Sequence, residues 1–310
     1  MVLEMIMKPE YAQKSPIKTL LLGFGVSSVA LWLSYLATLW LPTYIFPEHA
    51  NSWFLFLTAV ALIPFLNKIY LIEEREDERI SEKNIFRRHE DLLFIYIFLF
   101  LGMILSFSFW FTILPLKISQ IVFSGQVAEI YRIQGLKTSL SGALIATGAG
   151  AITGNIFAKI TGYTISRVSF LKLVMFNNMR LLLLFMVFSF VFGAGAILLL
   201  TWNAAVVGVA MGFIIRDSIL VSGSVLLKSA FYLKELPFSF MTFFLHGIFE
   251  IVGYFAAAIS GGIFSVAILR GMHKTKHFKT ILKDVVFFLV LALALVGIGA
   301  VLEVYVTPLL

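Results

Sequence analysis

The sequence predicts an all-α fold: a polytopic transmembrane helical bundle of about six or seven spans, with room for one broken or re-entrant helix. Three observations predict it. First, 60% of the 310 residues are apolar and 13% are charged, and the mean hydropathy is +0.97. Soluble domains run about 45–50% apolar and about 25% charged, and a water-soluble fold of this size could not hide that much apolar surface. Second, the apolar residues gather in runs of the length, about 20 residues, that carries a helix across a hydrocarbon core about 30 Å thick. Third, the runs do not alternate in polarity over about ten residues as barrel strands do. Helices and closed barrels are the folds that satisfy their backbone hydrogen bonds in lipid, so helices remain.

The first run, Thr19–Leu41, follows Lys8, Lys14 and Lys18. It is too long for a signal-peptide core and no small-x-small cleavage site follows it, so it reads as a retained span. Trp53–Tyr70, with Pro64 inside it, is the second, and Leu92–Leu116 the third. Residues 1–116 thus form an N-terminal three-span region. Its loop 68–91 contains IEEREDERISEKNIFRRHED, where opposite charges recur three apart (Arg75–Glu78, Glu76–Arg79, Arg79–Glu82). Such spacing supports a solvated helix by a few tenths of a kcal/mol per pair. The segment reads as a cytoplasmic spacer or as a docking surface for a soluble partner.

The stretch 117–178 is harder to place. Ile118, Ile121, Val122, Ile130 and Ile133 share about half of a helical circumference, but Gln126, Glu129 and Arg132 fall among them. An interfacial helix is one reading. The SLSGALIATGAGAITGNIFAKITGY that follows is rich in Gly, Ala and Thr. Small residues permit close helix packing and also suit a segment that dips into the membrane and returns. The remaining spans are Leu181–Leu200, Asn203–Leu227, Phe240–Leu269 and Asp284–Val306.

Orientation follows from basic residues in short loops. RGMHKTKHFKTILK, residues 270–283, holds five Lys and Arg and no acid. The excess of cationic side chains on the cytoplasmic side of membranes therefore places the N-terminus and loops 68–91 and 270–283 inside a cell membrane and the C-terminus outside. The three segments agree when Lys117–Met179 crosses an even number of times.

Polar side chains inside apolar runs are costly and usually meet a partner. His246 and Glu250 lie four apart, hence on one helix face. They suit a proton-accepting pair, an ion site, two of several metal ligands, or a buried clasp that fixes helix register. Two residues are too few for zinc, which takes three or four. Asn177, Asn178 and Arg180 mark the start of the fourth run, where Asn can cap a helix. Arg180 either snorkels to the interface or pairs with Glu250 or Glu303. Asn203 reads as a turn between antiparallel helices. Arg216 and Asp217 interrupt the fifth run: either the helix breaks there or the span ends near Ile215.

The chain has no cysteine, which excludes disulfides, thiolate nucleophiles and Cys-ligated metals. No HExxH or GxxxxGK[ST] motif is present, and no GxSxG. An intramembrane hydrolase using His246 and Glu250 as acid and base lacks an apparent nucleophile. No catalytic residue, metal site or cofactor is expected. The net charge of +7 reads as loops flanking membrane spans rather than as a nucleic-acid surface. Expected partners are the lipid bilayer, other proteins and, as an open option, further copies of the chain.

Three segments taken in order carry a resemblance: FNNMRLLLLFMVFSFVFGAGA (176–196), WNAAVVGVAMG (202–212) and FLHGIFEIVGYFAAAISGG (244–262), with FSGQVAEIYRIQ (123–134) upstream. The chain resembles the stage II sporulation protein M family of integral membrane proteins over roughly 117–310. Ala204 stands where glycine usually follows the Asn, and Leu245 where proline often precedes the His-Gly pair. The resemblance implies a non-enzymatic scaffold or assembly component of the membrane. The residue-level alternative is a proton- or ion-coupled transporter or channel using the His246/Glu250 face.

Overall fold

The computed structural model describes residues 15–40, 53–77, 85, 89–132, 167–219, 225–275 and 278–306, and they contain no strand. The helices are α1 (Pro16–Trp40), α2 (Trp53–Asp77), α3 (Glu90–Ile113), α4 (Leu116–Val122), α5 (124–132), α6 (Arg167–Phe192), α7 (Ile197–Ile219), α8 (Val225–Leu269) and α9 (Phe278–Val301). Seven of them are long and apolar enough to cross a membrane, so the all-helical transmembrane bundle is as the sequence predicts.

Side-chain register gives each helix its direction. Ser28 Oγ lies 2.9 Å from Ser106 Oγ, and Trp32 packs on Trp110 one turn further along both helices, so α1 runs parallel to α3. Phe54 meets Phe107, and Tyr70 meets Tyr96, so α2 runs antiparallel to both. Thr201 beside Met103 and Arg216 beside Leu114 make α7 parallel to α3. Phe185 on Tyr254 and Phe190 on Phe264 make α6 parallel to α8. Gly299 beside Glu250 and Val285 beside Ser260 make α9 antiparallel to α8.

His89, at the start of α3, touches Asp284 near the start of α9. The starts of α3 and α9 therefore lie at the same end of the bundle, called here the loop end. α3 finishes and α6 begins at the opposite, distal end. The connection between them thus starts and ends on one side. The Gly/Ala/Thr-rich 139–163 region falls outside the described residues, as do most of the mixed-charge segment and its pairs.

Helices approach closely where glycine allows it. A Cβ on Gly102 would meet the Leu20 carbonyl, and one on Gly23 would sit 2.5 Å from the Leu99 carbonyl. Small residues serve this purpose in membranes, where no hydrophobic force drives helices together. The interior around α3 is aromatic: Phe54, Phe107, Phe111 and Phe123 are buried and meet edge to face. That arrangement suits ring quadrupoles.

The boundary between the fourth and fifth spans differs from the expectation. The chain turns at 193–196, not at Asn203. Gly193 has φ +66°, a conformation that glycine adopts without the penalty a Cβ would bring. Asn67 Oδ1 on α2 accepts the Ala194 N–H at 2.7 Å. Asn203 is inside α7, its Nδ2 donating 2.8 Å to the Leu199 carbonyl one turn back. Asn177 and Asn178 likewise lie well inside α6 rather than capping it. No break occurs at Arg216 and Asp217: α7 continues to Ile219, and its apolar span ends at Arg216. Asp217's side chain falls outside the description.

α8 is the longest element, 45 residues with Pro237 inside it. At 1.5 Å per residue it measures roughly 67 Å, more than twice a hydrocarbon core of about 30 Å. Gly247–Leu269 forms its candidate span. The preceding arm packs Tyr232 against α3, its hydroxyl 2.6 Å from Ser108 Oγ.

Candidate functional site

Polar side chains from α6, α8 and the end of α9 converge toward the distal end. Asn178 is 4% exposed and its Nδ2 donates 2.7 Å to Glu250 Oε1. Tyr254 Oη donates 3.2 Å to Asn178 Oδ1. The amide of Asn178 thus bridges two residues one turn apart on α8, offering its donor to the carboxylate and its acceptor to the phenol. Phe185 stacks on Tyr254 with centroids 4.8 Å apart and closes the cluster on the loop side. Gly299 on α9 gives room for Glu250: a Cβ there would sit 2.6 Å from Glu250 Cγ.

Glu303 belongs to the same neighbourhood. It lies in a five-residue π turn, Leu302–Val306, that continues α9 and packs on α6 through Val304, beside Phe170 and Val174. π turns are rare and recur at functional sites. Two carboxylates, an amide and a phenol in one half-buried place can hold a proton or a small cation, or can tie three helices together. Among the described residues no group of three His, Asp or Glu is disposed to hold a metal ion.

The expected residues therefore separate. Glu250 and Asn178 come together, and the turn that carries Glu303 packs on the same helix, α6. Arg180 does not join them: two residues along a helix turn the side chain by about 200°, so with Asn178 facing α8, Arg180 is exposed on the far side of α6. Asn177 is exposed as well. The His246 backbone is helical, one turn before Glu250, and its side chain lies outside the description. Tyr254 was legible in principle, being four residues after Glu250 and on the same face.

Arg216 serves a separate place at the distal end. Nη1 donates 2.9 Å to the Phe111 carbonyl and 2.8 Å to Ser119 Oγ, and Nη2 donates 2.7 Å to the Leu114 carbonyl. The last carbonyls of a helix lack intrahelical donors and carry partial negative charge. The guanidinium fork supplies both needs at the end of α3 and fastens α4 to it. On α5, Gln126 is 0% exposed, with neither side-chain polar atom hydrogen-bonded.

At the loop end, His89 Nε2 and Asp284 Oδ2 are 3.3 Å apart and the two residues are 2% and 3% exposed. Sequence reasoning missed this pair because both residues sit at the edges of charged loops, where ionisable groups are normally solvated.

A family model described as Stage II sporulation protein M matches residues 92–308. The match begins at the start of α3, so it takes in the third span that the resemblance over 117–310 left out. No curated protein and no solved structure matches the chain.

Proposed function

The chain belongs to the stage II sporulation protein M family, and from that premise we propose that it is a non-enzymatic scaffold or assembly component that holds protein partners at the membrane. The observation that supports this reading best is how the interior polar groups are used. Tyr70 Oη lies 3.0 Å from Tyr96 Oη and donates to the Ala258 carbonyl. Ser189 Oγ reaches that same carbonyl at 2.6 Å and the Gly193 carbonyl at 2.7 Å. Four spans are thereby fastened at one level of the bundle. Such internal use of hydrogen-bonding groups favours a rigid platform.

In this reading the loops 68–91 and 270–283 face the cytoplasm of a multi-pass cell-membrane protein, as their Lys and Arg content favours, and offer charged surface to soluble partners. The absence of native cysteine makes orientation directly measurable. Thr275→Cys in intact cells should resist a membrane-impermeant maleimide and react after the membrane is opened. Photo-crosslinkers placed within 73–90 should capture defined partners, and charge-reversed versions of that segment should lose them. Unchanged capture after charge reversal would remove the support for a scaffold.

A second reading is favoured by the Asn178–Glu250–Tyr254–Glu303 cluster: proton- or cation-coupled transport. Proteoliposomes would then show a flux that Glu250→Gln abolishes. Vesicles equally tight with wild type and variant would end it.

A further inference from the structure

We propose that the outward face of α6 binds the phosphate of an anionic phospholipid in the distal leaflet through Lys172, Asn177 and Arg180. α6 has the smallest buried share of the seven candidate spans, 28%. Lys172, Phe176 and Arg180 follow one another at four-residue steps, and all three are exposed. Residues so spaced form one ladder on a helix surface, and Asn177 lies three residues from Arg180 on its other side. Phe176 is 74% exposed. The outward face thus presents a cation at each end of an aromatic ring, with an amide donor beside the deeper cation.

Depth decides what can reach them. Gly299 lies beside Glu250, and Glu250 beside Asn178. On α9, fifteen residues separate Gly299 from Asp284, or about 22 Å. With Asp284 near the loop-end edge of a core about 30 Å thick, Asn178 lies roughly 8 Å beneath the distal edge. Arg180 lies about 3 Å deeper, and Lys172 close to the edge itself. A guanidinium whose backbone lies inside the hydrocarbon needs an anion or water. Helical side chains lean toward the helix N-terminus, which for α6 is the distal end, so Arg180 leans toward the phosphate layer.

A phosphate diester there accepts from the guanidinium, which matches phosphate oxygens two at a time, and from the Asn177 amide. Lys172, nearer the surface, meets the remaining headgroup charge. Phe176 covers the glycerol and upper acyl carbons. An acidic protein segment could satisfy the cations, but not the ring between them or the apolar strip Leu183, Val187 and Val191 that continues below. One lipid molecule fits both.

The test uses the full chain, reconstituted in vesicles of equal parts phosphatidylcholine and phosphatidylglycerol and released into detergent for native mass spectrometry. Wild type should keep phosphatidylglycerol in preference. Arg180→Gln should weaken that retention about tenfold, the scale of one lost charge-assisted contact, and Arg180→Lys should recover part of it. Thermal midpoints in pure phosphatidylcholine should be alike for all three, which separates lipid binding from folding. Equal retention by wild type and Arg180→Gln would overturn the proposal. So would displacement of the lipid by inorganic phosphate, which would assign the site to the free ion. Phe176→Cys offers a third arm: efficient disulfide-linked dimers in the same vesicles would show that a second copy covers this face instead.

Discussion

His89 Nε2 lies 3.3 Å from Asp284 Oδ2, and that contact joins the cap of α3 to the second turn of α9, 195 positions away in the sequence. The imidazole also meets the Phe288 ring edge-on, 5.4 Å between centroids. A buried pair has lost its water, so removing one member takes from the other a contact that solvent does not replace. His89→Leu or Asp284→Leu alone is expected to cost about 3–5 kcal/mol. The double replacement should cost clearly less than the sum, because neither polar group is then left behind. Thermal unfolding of the four proteins in nanodiscs measures the coupling.

Gln126 is buried without a hydrogen bond from its amide. An unsatisfied buried polar group costs about 1–3 kcal/mol. Gln126→Met keeps the side-chain length and removes that penalty, so it should raise the thermal midpoint. A fall of several degrees would mean that the amide has a partner in the membrane-embedded protein.

Arg216 spans two helix-end carbonyls and one hydroxyl. Arg216→Met should lose about 1.5–3 kcal/mol, the range for hydrogen bonds to a charged group. Lysine is a point donor and cannot spread over three acceptors, so Arg216→Lys should recover little. Proteolysis between α4 and α5 would report the loosening, with faster cleavage in both variants.

Gly102→Val would drive a side chain against the Leu20 backbone, which cannot yield as a rotamer can. A loss of about 1–3 kcal/mol is expected from overpacking, together with separation of α1 from α3. Crosslinking between Ser28→Cys and Ser106→Cys, efficient in the parent, should then fall. Undiminished crosslinking would refute the close approach.

How much of this was legible depends on what each residue's signal reports. Hydropathy found the spans because lipid solvation acts on every residue of a run. It missed the turn at 193–196 because Gly193, Ala194, Gly195 and Ala196 are apolar themselves, and what turns the chain is a backbone conformation together with a hydrogen bond donated to a residue 127 positions away. Asn203 looked like a turn because it is polar, yet the helix absorbs its amide locally. Glu250 and Glu303 were recognisable as costly, and Arg180 was the obvious counter-charge. The structure gives Glu250 the amide of Asn178 instead, since helical geometry sends positions 178 and 180 to opposite sides. Which of two neighbouring polar residues faces inward is a matter of phase, and the nearly uniform apolarity of α6 hides phase.

The parallel pairing of α6 and α8 has a consequence for biosynthesis. Asn178 is 72 residues ahead of Glu250, and a ribosome adds about 5–20 residues per second. For roughly 4 to 14 seconds at that rate, the fourth span exists without the carboxylate that its amide will meet. Release into bilayer as a lone helix would leave Asn178 facing acyl chains, so the insertion machinery must shelter α6 until α8 arrives, or deliver α6, α7 and α8 as one unit.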